Sequence, residues 1–275
     1  MSKHGNTHLF QEQVWTYYTA HGRHDLPWRN PEPDGSFDAY KILVSEMMLQ
    51  QTQVARVIPK FHQFLDTFPS LEVLAAAPLR AVLVAWSGLG YNRRAKFLHQ
   101  AAQVIVRDFD SSFPTTMQQL VTLPGVGSNT AGAILAYAFN KPVAFVETNI
   151  RSVFIHHFFK DQAAISDKDI RALVTKTLDS TNPRVWYWAL MDYGSYFKKS
   201  IGNSSIASKS YAKQPAFTGS RRQIRGQALR LLAEHSQTLM TLGTAIADER
   251  LQAVLSDLLR EGLIQKDGTT YQLGS

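Results

Sequence analysis

Apolar residues recur at three- and four-residue steps through most of the first 198 residues, the pattern of amphipathic helices. Turns rich in proline and glycine separate these segments. The predicted helices are 10–21, 39–64, 70–77, 78–87, 93–108, 116–123, 129–139, 149–159, 167–178 and 183–198. No alternating strand pattern occurs among them, so the sequence predicts an all-α region of about ten helices.

The pattern changes after residue 220. Helical periodicity covers 221–234 and 247–261, with a shorter helix predicted at 241–246. Residues 262–273 form two short apolar runs around an Asp-Gly turn, which is a hairpin signal. Three helices followed by a hairpin is the plan of a winged-helix domain, which either binds DNA or only packs against its neighbour.

A basic segment joins the two parts. Between residues 198 and 225 lie seven basic residues and no acidic one, namely Lys198, Lys199, Lys209, Lys213, Arg221, Arg222 and Arg225. With a formal net charge of +7, this favours a polyanionic partner. The segment is either a solvated linker or contacts phosphates, with Arg221 and Arg222 as candidates. We predict a mainly α protein with a helical core (1–198), a connector (199–220) and a winged-helix-like domain (221–275).

The chain contains no cysteine, which excludes disulfides, thiolate zinc sites and cysteine-ligated iron–sulfur clusters. Its longest apolar runs, such as 143–146, fall far short of the roughly 20 residues that cross a bilayer. No apolar signal segment follows the N-terminus. We therefore expect a cytoplasmic protein, nucleoid-associated if bacterial, that is a monomer and makes no membrane contact.

The sequence Pro-Gly-Val-Gly stands between two predicted helices at 124–127. Its glycines allow a tight turn with exposed N–H groups, and the next helix adds its positive N-terminal end, which suits a phosphate. An ordinary helix–helix turn is the alternative for the glycines alone. The full Leu-Pro-Gly-Val-Gly sequence resembles a helix-hairpin-helix, which holds DNA without reading bases. The candidate DNA contacts are Gly125, Val126, Gly127 and Asn129.

Glu46 lies in the most apolar predicted helix, among Leu43, Val44 and Met47. Such surroundings desolvate a carboxyl group, which raises its pKa and suits it as a general acid near neutral pH. The alternative is a glutamate on the solvent side of the helix. The amides of Gln50 and Gln51, which follow, suit hydrogen bonds to base edges or backbone.

Glu147 closes the apolar run 142–146 and precedes the predicted helix 149–159. The positive end of that helix would keep its carboxylate ionised, and a simple capping role is the alternative. Two carboxyl groups whose surroundings push their pKa values apart are expected for an acid and an electrostatic stabiliser in glycosidic cleavage.

Five motifs occur together in the order and spacing of one known family. They are Leu-Pro-Trp-Arg at 26–29, Val-Ser-Glu-Met-Met-Leu-Gln-Gln-Thr-Gln-Val at 44–54, Trp-Ser-Gly-Leu-Gly-Tyr at 86–91, Arg-Ala at 94–95, and Leu-Pro-Gly-Val-Gly at 123–127 with Thr-Ala-Gly-Ala-Ile at 130–134. Over about residues 8–198 the chain resembles the catalytic core of the MutY-like adenine DNA glycosylases. These belong to the helix-hairpin-helix base-excision superfamily, which also contains endonuclease III.

The resemblance implies a monofunctional glycosylase of base excision repair. Its partner would be double-stranded DNA with a mispaired or damaged base, and it would hydrolyse the N-glycosidic bond of an adenine flipped out of an 8-oxoguanine:A or G:A mispair. Glu46 takes the position of the acid that protonates the departing adenine. Glu147 and Asn149 match an Asp and an Asn, of which the Asp steadies the oxocarbenium ion and helps to position water.

The resemblance also assigns residues around the flipped base. The family's base pocket falls at Trp28, Arg29 and Leu49. Gln51 matches the residue wedged into the gap in the duplex, and Tyr91 the one inserted beside the lesion's partner base. Asn129 stands where bifunctional relatives carry a Schiff-base lysine, so strong β-lyase activity is not expected.

Three departures from the family bear on these expectations. Glu147 is one methylene longer than the family's Asp, which could shift the carboxylate by roughly 1 Å. The cysteines of the family's iron–sulfur cluster are absent, and Lys198 stands at the first ligand position. The segment after the connector is too short for the Nudix-like domain that reads 8-oxoguanine.

We therefore expect no iron–sulfur cluster and no redox cofactor, while the resemblance allows a monovalent cation at the carbonyls of Leu123 and Val126. Excision of uracil or thymine opposite G stays open as an alternative activity. Two alternatives belong to other functional classes. One is a non-catalytic DNA-binding homologue, and the other is a winged-helix regulator with a fused helical domain.

Overall fold

The computed structural model describes residues 3–160 and 162–274, and it confirms a mainly α fold. Eleven α-helices lie in the described part before residue 201. In chain order they are α1 (Lys3–His21), α2 (Ala39–Leu49), α3 (Val54–Thr67), α4 (Leu71–Ala76), α5 (Leu79–Ala85), α6 (Arg93–Asp108), α7 (Met117–Leu120), α8 (Ser128–Tyr137), α9 (Thr148–Phe158), α10 (Asp167–Thr177) and α11 (Pro183–Ser200). Two 3₁₀ turns, Pro27–Arg29 and Ser204–Ala207, were not predicted.

The predicted helix 39–64 is instead two helices. α2 ends at Leu49 and α3 begins at Val54, and between them Gln51 has a left-handed backbone with φ 58°. Helical periodicity continues through the break because both helices bury apolar faces. Hydrogen bonds from a distant arginine, described below, end α2.

The C-terminal part has the element order of a winged helix. It consists of α12 (Arg221–Glu234), β1 (Gln237–Thr238), α13 (Leu239–Ile246), α14 (Leu251–Arg260), β2 (Ile264–Asp267) and β3 (Thr270–Leu273). The strands form an antiparallel sheet in the order β1-β3-β2, and the hairpin joins Asp267 to Thr270. The two-residue β1 is too short to show alternation, so the sequence did not predict it. α14 begins four residues later than predicted because Ala247 adopts a left-handed conformation.

The chain packs into two compact units. One comprises Met1–Ile42, Thr115–Thr122 and Val126–Lys213, and the other comprises Leu43–Pro114, Leu123–Gly125 and Gln214–Ser275. The three-part division predicted at residues 198 and 220 follows the change in sequence pattern and stays a prediction. In the folded chain, the residues from Gln214 onward belong to the same compact unit as residues 43–114.

In the first unit, α9 and α11 pack closely enough to require a glycine between them. A Cβ atom on Gly194 would lie 2.4 Å from the carbonyl oxygen of Asn149. Around this crossing the buried side chains include Phe154, Trp186 and Tyr187. The close packing places the first turn of α9 directly against α11.

In the second unit, α4 and α6 pack together and α12 packs on α14 and β3. Leu98 of α6 and Leu258 of α14 are among the fully buried side chains. None of the described helices is long and apolar enough to cross a membrane.

Candidate active site

Glu46 lies on α2, in the second unit. Residues 42–45 and 47–48 are buried, whereas Glu46 is half-buried. It is therefore neither enclosed in the core nor on a fully solvated helix face. Its neighbours Val44 and Met47 are completely buried, so it stands at the edge of an apolar surface. The expected acidity of Glu46 stays a prediction.

Arg94 of α6 ends the helix that carries Glu46. Its buried guanidinium donates hydrogen bonds to the carbonyl oxygens of Met47 at 2.7 Å, Met48 at 2.8 Å and Gln50 at 2.6 Å. The last carbonyl groups of a helix have no partner within it, and a cation is favoured at this negative end. Arg94 satisfies these groups and stops α2 at Leu49.

The same guanidinium holds the loop before α6. It donates to the carbonyl oxygens of Leu89 at 3.3 Å and Gly90 at 2.9 Å, and it lies 5.3 Å from the ring centroid of Trp86 and 5.4 Å from that of Tyr91. Burial lowers the pKa of Arg94 to about 10, so the group stays cationic at neutral pH. One side chain thus joins residues 47–50 to residues 89–91.

Gln51 and Tyr91 each have a strained backbone conformation. The resemblance places the first in the gap in the duplex and the second beside the lesion's partner base. Their φ angles are 58° and 49°, in the left-handed region that residues other than glycine seldom adopt. Such conformations cost about 1–3 kcal/mol and persist where the surroundings enforce them. Arg94 binds the carbonyl group just before each of them, that of Gln50 and that of Gly90. Gln51 is exposed and Tyr91 is half-buried.

Residues after the connector contact both of these side chains. The Gln214 amide donates to Oε1 of Gln51 at 2.8 Å, and Arg222 donates to the Tyr91 hydroxyl at 2.8 Å. A second nitrogen of Arg222 donates to the Pro215 carbonyl at 2.6 Å. These contacts could not be predicted from local sequence patterns, because the partners lie 131 to 163 residues apart.

The two arginines predicted as phosphate contacts have partners within the protein. Arg222 binds Tyr91, as above, and Arg221 forms an ion pair with Asp257 at 2.5 Å. About half of the Arg221 side chain is exposed. Contact of either arginine with a phosphate stays a prediction.

The predicted hairpin turn lies between α7 and α8. Gly125 has φ 77°, and a Cβ atom there would lie 2.7 Å from Cβ of Phe97, so only glycine fits. Gly127 is the N-cap of α8. Both glycines are exposed while Val126 is buried, so the turn presents backbone rather than side chain to solvent.

Glu147, in the first unit, is the N-cap residue of α9, but its side chain makes no capping hydrogen bond. The role of Glu147 stays a prediction. Burial raises the pKa of Glu147, and neither the positive charges of Arg151 and Lys198 nor the nearby Thr148 N–H offsets that effect. The pKa thus moves in the opposite direction from the one predicted, because desolvation outweighs the helix terminus.

Asn149 connects the first turn of α9 to α11. Its Oδ1 accepts a hydrogen bond from Nζ of Lys198 at 2.7 Å, and its amide donates to the Met191 carbonyl at 3.3 Å. Burial lowers the pKa of Lys198, as does the charge of Arg151, while the carboxylate of Glu147 raises it. The lysine at the family's first cluster-ligand position therefore orients Asn149 and is electrostatically coupled to Glu147.

Asn129 orients the chain just before Glu147. Its amide donates to the Val146 carbonyl at 3.0 Å, and its Oδ1 accepts from the Val146 N–H at 3.3 Å. The position at which relatives carry a lysine therefore holds α8 to the backbone that leads into α9.

Arg29, predicted in the base pocket, is buried and pairs with Asp192. The two guanidinium–carboxylate distances are 2.8 and 2.9 Å, and Arg23 donates to the same carboxylate at 2.7 Å. Burial alone would raise the pKa of Asp192, but the hydrogen bonds and charges of the two arginines outweigh it and lower the pKa. Trp28 is buried beside Arg29 in the chain, and Leu49 is half-buried at the end of α2.

Asp192 was not among the predicted site residues, although the sequence contains a signal for it. It is an acidic residue in the predominantly apolar helix 183–198, the same criterion that singled out Glu46. No group of three or more His, Asp or Glu side chains within 3–160 and 162–274 could hold a metal ion. With no cysteine in the chain and Lys198 at the first ligand position, the residues do not fit the family's iron–sulfur cluster.

Comparison with known proteins identifies the family. Residues 44–179 match the family described as HhH-GPD superfamily base excision DNA repair protein. The adenine DNA glycosylase of Mycobacterium tuberculosis is 34% identical over 285 aligned positions, covering 93% of this chain and 91% of that protein. Those of Mycolicibacterium smegmatis and Buchnera aphidicola are 41% and 36% identical, and the chain spans 59% and 53% of their lengths.

Solved structures agree on the fold. A thermostable thymine-DNA glycosylase superposes with a TM-score of 0.64 over 75% of this chain and 97% of that one, at 22% identity. Endonuclease III bound to DNA superposes with a TM-score of 0.59 over 73% and 89%, at 17% identity. The chain belongs to the HhH-GPD superfamily of base excision DNA repair proteins and, within it, to the MutY-like adenine DNA glycosylases.

Proposed function

We propose that this protein is a monofunctional DNA glycosylase that removes adenine from a mispair in double-stranded DNA. The observation that carries the proposal is Glu147, a carboxyl group desolvated at a helix N-terminus that it does not cap. Burial raises the pKa of Glu147 despite the nearby charges of Arg151 and Lys198, so the site disfavours the ionised carboxylate unless a further positive charge lies beside it. A desolvated carboxylate beside a sugar is what an oxocarbenium-like transition state needs.

In the proposed mechanism Glu46 supplies the proton. It passes to a ring nitrogen of the flipped adenine, the bond between the sugar C1′ and the base breaks, and neutral adenine leaves. The half-buried position of Glu46 on an apolar helix suits a carboxyl group that must be protonated before reaction and reprotonated from solvent afterwards. Arg94 fixes the end of that helix and so positions the acid.

Glu147 would then stabilise the cationic sugar. Asn149, held by Lys198, would help to place the water that attacks C1′, and the water's proton would leave through Glu147 or solvent. Asn129 has no amine with which to form a Schiff base, so hydrolysis would end at an abasic site. Because the chain has no cysteine, we propose that the reaction proceeds without an iron–sulfur cluster.

The direct test is base release under single-turnover conditions from duplexes carrying 8-oxoguanine:A, G:A, G:T and G:U. We expect free adenine from the first two and an intact strand until alkali cleaves the abasic site. Release of thymine or uracil in place of adenine would establish the alternative substrate. Binding without release from any duplex would establish a non-catalytic DNA-binding protein.

Two substitutions of Glu147 distinguish the effect of its charge from the effect of its side-chain length. Glu147→Gln should lower the single-turnover rate of base release by roughly a hundredfold or more, the scale of other electrostatic stabilisers. Glu147→Asp keeps the charge and should lose much less. Equal rates for Glu147→Gln and the wild-type protein would remove the second carboxylate from the mechanism.

Lys198 should influence the pH dependence of the reaction. Its charge lowers the pKa of Glu147, so Lys198→Met should raise that pKa further. Activity requires the ionised form of Glu147 and is lost as the pH falls through its pKa. The acidic limb of the pH–rate profile should therefore move to higher pH.

The rate of Lys198→Met at neutral pH should also fall by about tenfold, because Asn149 loses its orienting hydrogen bond. Lys199→Met removes the same charge from the next, exposed residue and should change neither property. A lower rate with an unmoved acidic limb would contradict the electrostatic coupling between Lys198 and Glu147.

A further inference from the structure

The chain from Gln214 to Arg222, here called the 214–222 segment, contacts the side chains of two residues with strained backbones on the surface of the second unit. Gln214 binds the amide oxygen of Gln51, and Arg222 binds the hydroxyl of Tyr91. The segment brings these two positions, 40 residues apart in sequence, under one short stretch of chain.

Residues 217–220 of the 214–222 segment form a hydrogen-bonded turn. The backbone N–H and hydroxyl of Ser220 donate to the Phe217 carbonyl at 3.1 and 2.6 Å. Gly219 donates its N–H to the side chain of Gln223 at 2.7 Å, and its carbonyl accepts from Arg250 at 3.0 Å. Side chains of the winged-helix part therefore fix the turn.

This turn presents an aromatic ring to solvent. Phe217 is 60% exposed, and its ring centroid lies 5.9 Å from the guanidinium carbon of Arg222. The same carbon lies 5.9 Å from the ring centroid of Tyr91. An exposed phenylalanine alone needs no explanation. Here the ring is held by an ordered turn, and an arginine connects it to Tyr91.

We propose that the 214–222 segment binds the base left unpaired in the intact strand, opposite the excised base. The inference rests on the proposed function and on the resemblance, which places Gln51 in the gap in the duplex and Tyr91 beside the lesion's partner base. Groups bonded to those two side chains must then lie beside the orphaned base. Phe217 stacks on the face of that base, and the Gln214 amide, released from Gln51, bonds to its edge.

The side chains at this point suit a base better than a phosphate. Arg222 already donates to Tyr91 and Pro215, and Arg221 is paired with Asp257. The segment also carries the exposed ring of Phe217 and the amide of Gln214, which now binds Gln51. Such groups stack on bases and bond to their edges. The segment would therefore distinguish one opposite base from another, instead of adding uniform affinity for DNA.

The test uses the full chain and duplexes with adenine opposite guanine, 8-oxoguanine, cytosine or a tetrahydrofuran abasic analogue. Dissociation constants are measured by fluorescence anisotropy, and base release under single-turnover conditions. Phe217→Ala should weaken binding about ten- to a hundredfold wherever a base is present, and should reduce the differences between opposite bases. Binding to the abasic duplex should stay within about twofold of wild type, since it offers nothing to stack on.

Three further variants sharpen the test. Phe217→Trp keeps an aromatic face and should retain discrimination, while Met240→Ala truncates another exposed apolar residue, 78% exposed on α13, and should change nothing. Gln214→Ala should reduce discrimination between opposite bases with a smaller loss of affinity, because the edge contact is lost and the stacking kept.

Equal losses for Phe217→Ala on all four duplexes would overturn the proposal in favour of a general DNA contact. Tighter binding by Phe217→Ala or Gln214→Ala would overturn it in favour of a strap that covers Gln51 and Tyr91 in the free protein. The dissociation constants do not depend on catalysis. If the wild-type protein releases no base, the proposed activity is refuted. If Phe217→Ala nevertheless loses discrimination between opposite bases, the proposed base-binding site stands.

Discussion

The buried guanidinium of Arg94 is the interaction on which the second unit's functional surface depends. It binds the carbonyls that end α2 shortly after Glu46, and on its other side it binds the loop that leads to Tyr91. A lysine offers a single ammonium group and could not reach both sets of carbonyls in this planar arrangement. One cation therefore connects the end of the helix that carries the proposed acid to the loops that contain Gln51 and Tyr91.

In the first unit, Glu147 lies close to two cations and is also desolvated by burial. Two cations lower its pKa, yet each has its own partner: Arg151 forms a bidentate pair with Asp167, and Lys198 binds Asn149. Glu147 therefore receives attraction from fixed charges while burial holds its pKa above the ordinary value. A carboxylate in that state gains most when a positive charge develops nearby, which is the condition of preorganised electrostatic catalysis.

Local periodicity predicted the helices well, and α6 and α12 have the predicted bounds because each carries a continuous amphipathic stripe and ends at turn signals. The break between α2 and α3 was missed, since its cause is Arg94, more than 40 residues away. Motif resemblance selected Glu46, Glu147 and Asn149. It could not give the direction of the Glu147 pKa or the contacts of the 214–222 segment, which depend on burial and on partners distant in sequence.

In the proposed mechanism the half-buried carboxyl group of Glu46 delivers the proton that releases the base. Glu46→Gln isolates this step, because the amide keeps the size and hydrogen bonds of the side chain but has no proton to transfer. We expect single-turnover release of adenine to fall by about 10²–10⁴, while the dissociation constant for the same duplex stays within a few-fold of wild type. Release at a rate near wild type would show that another group is the acid.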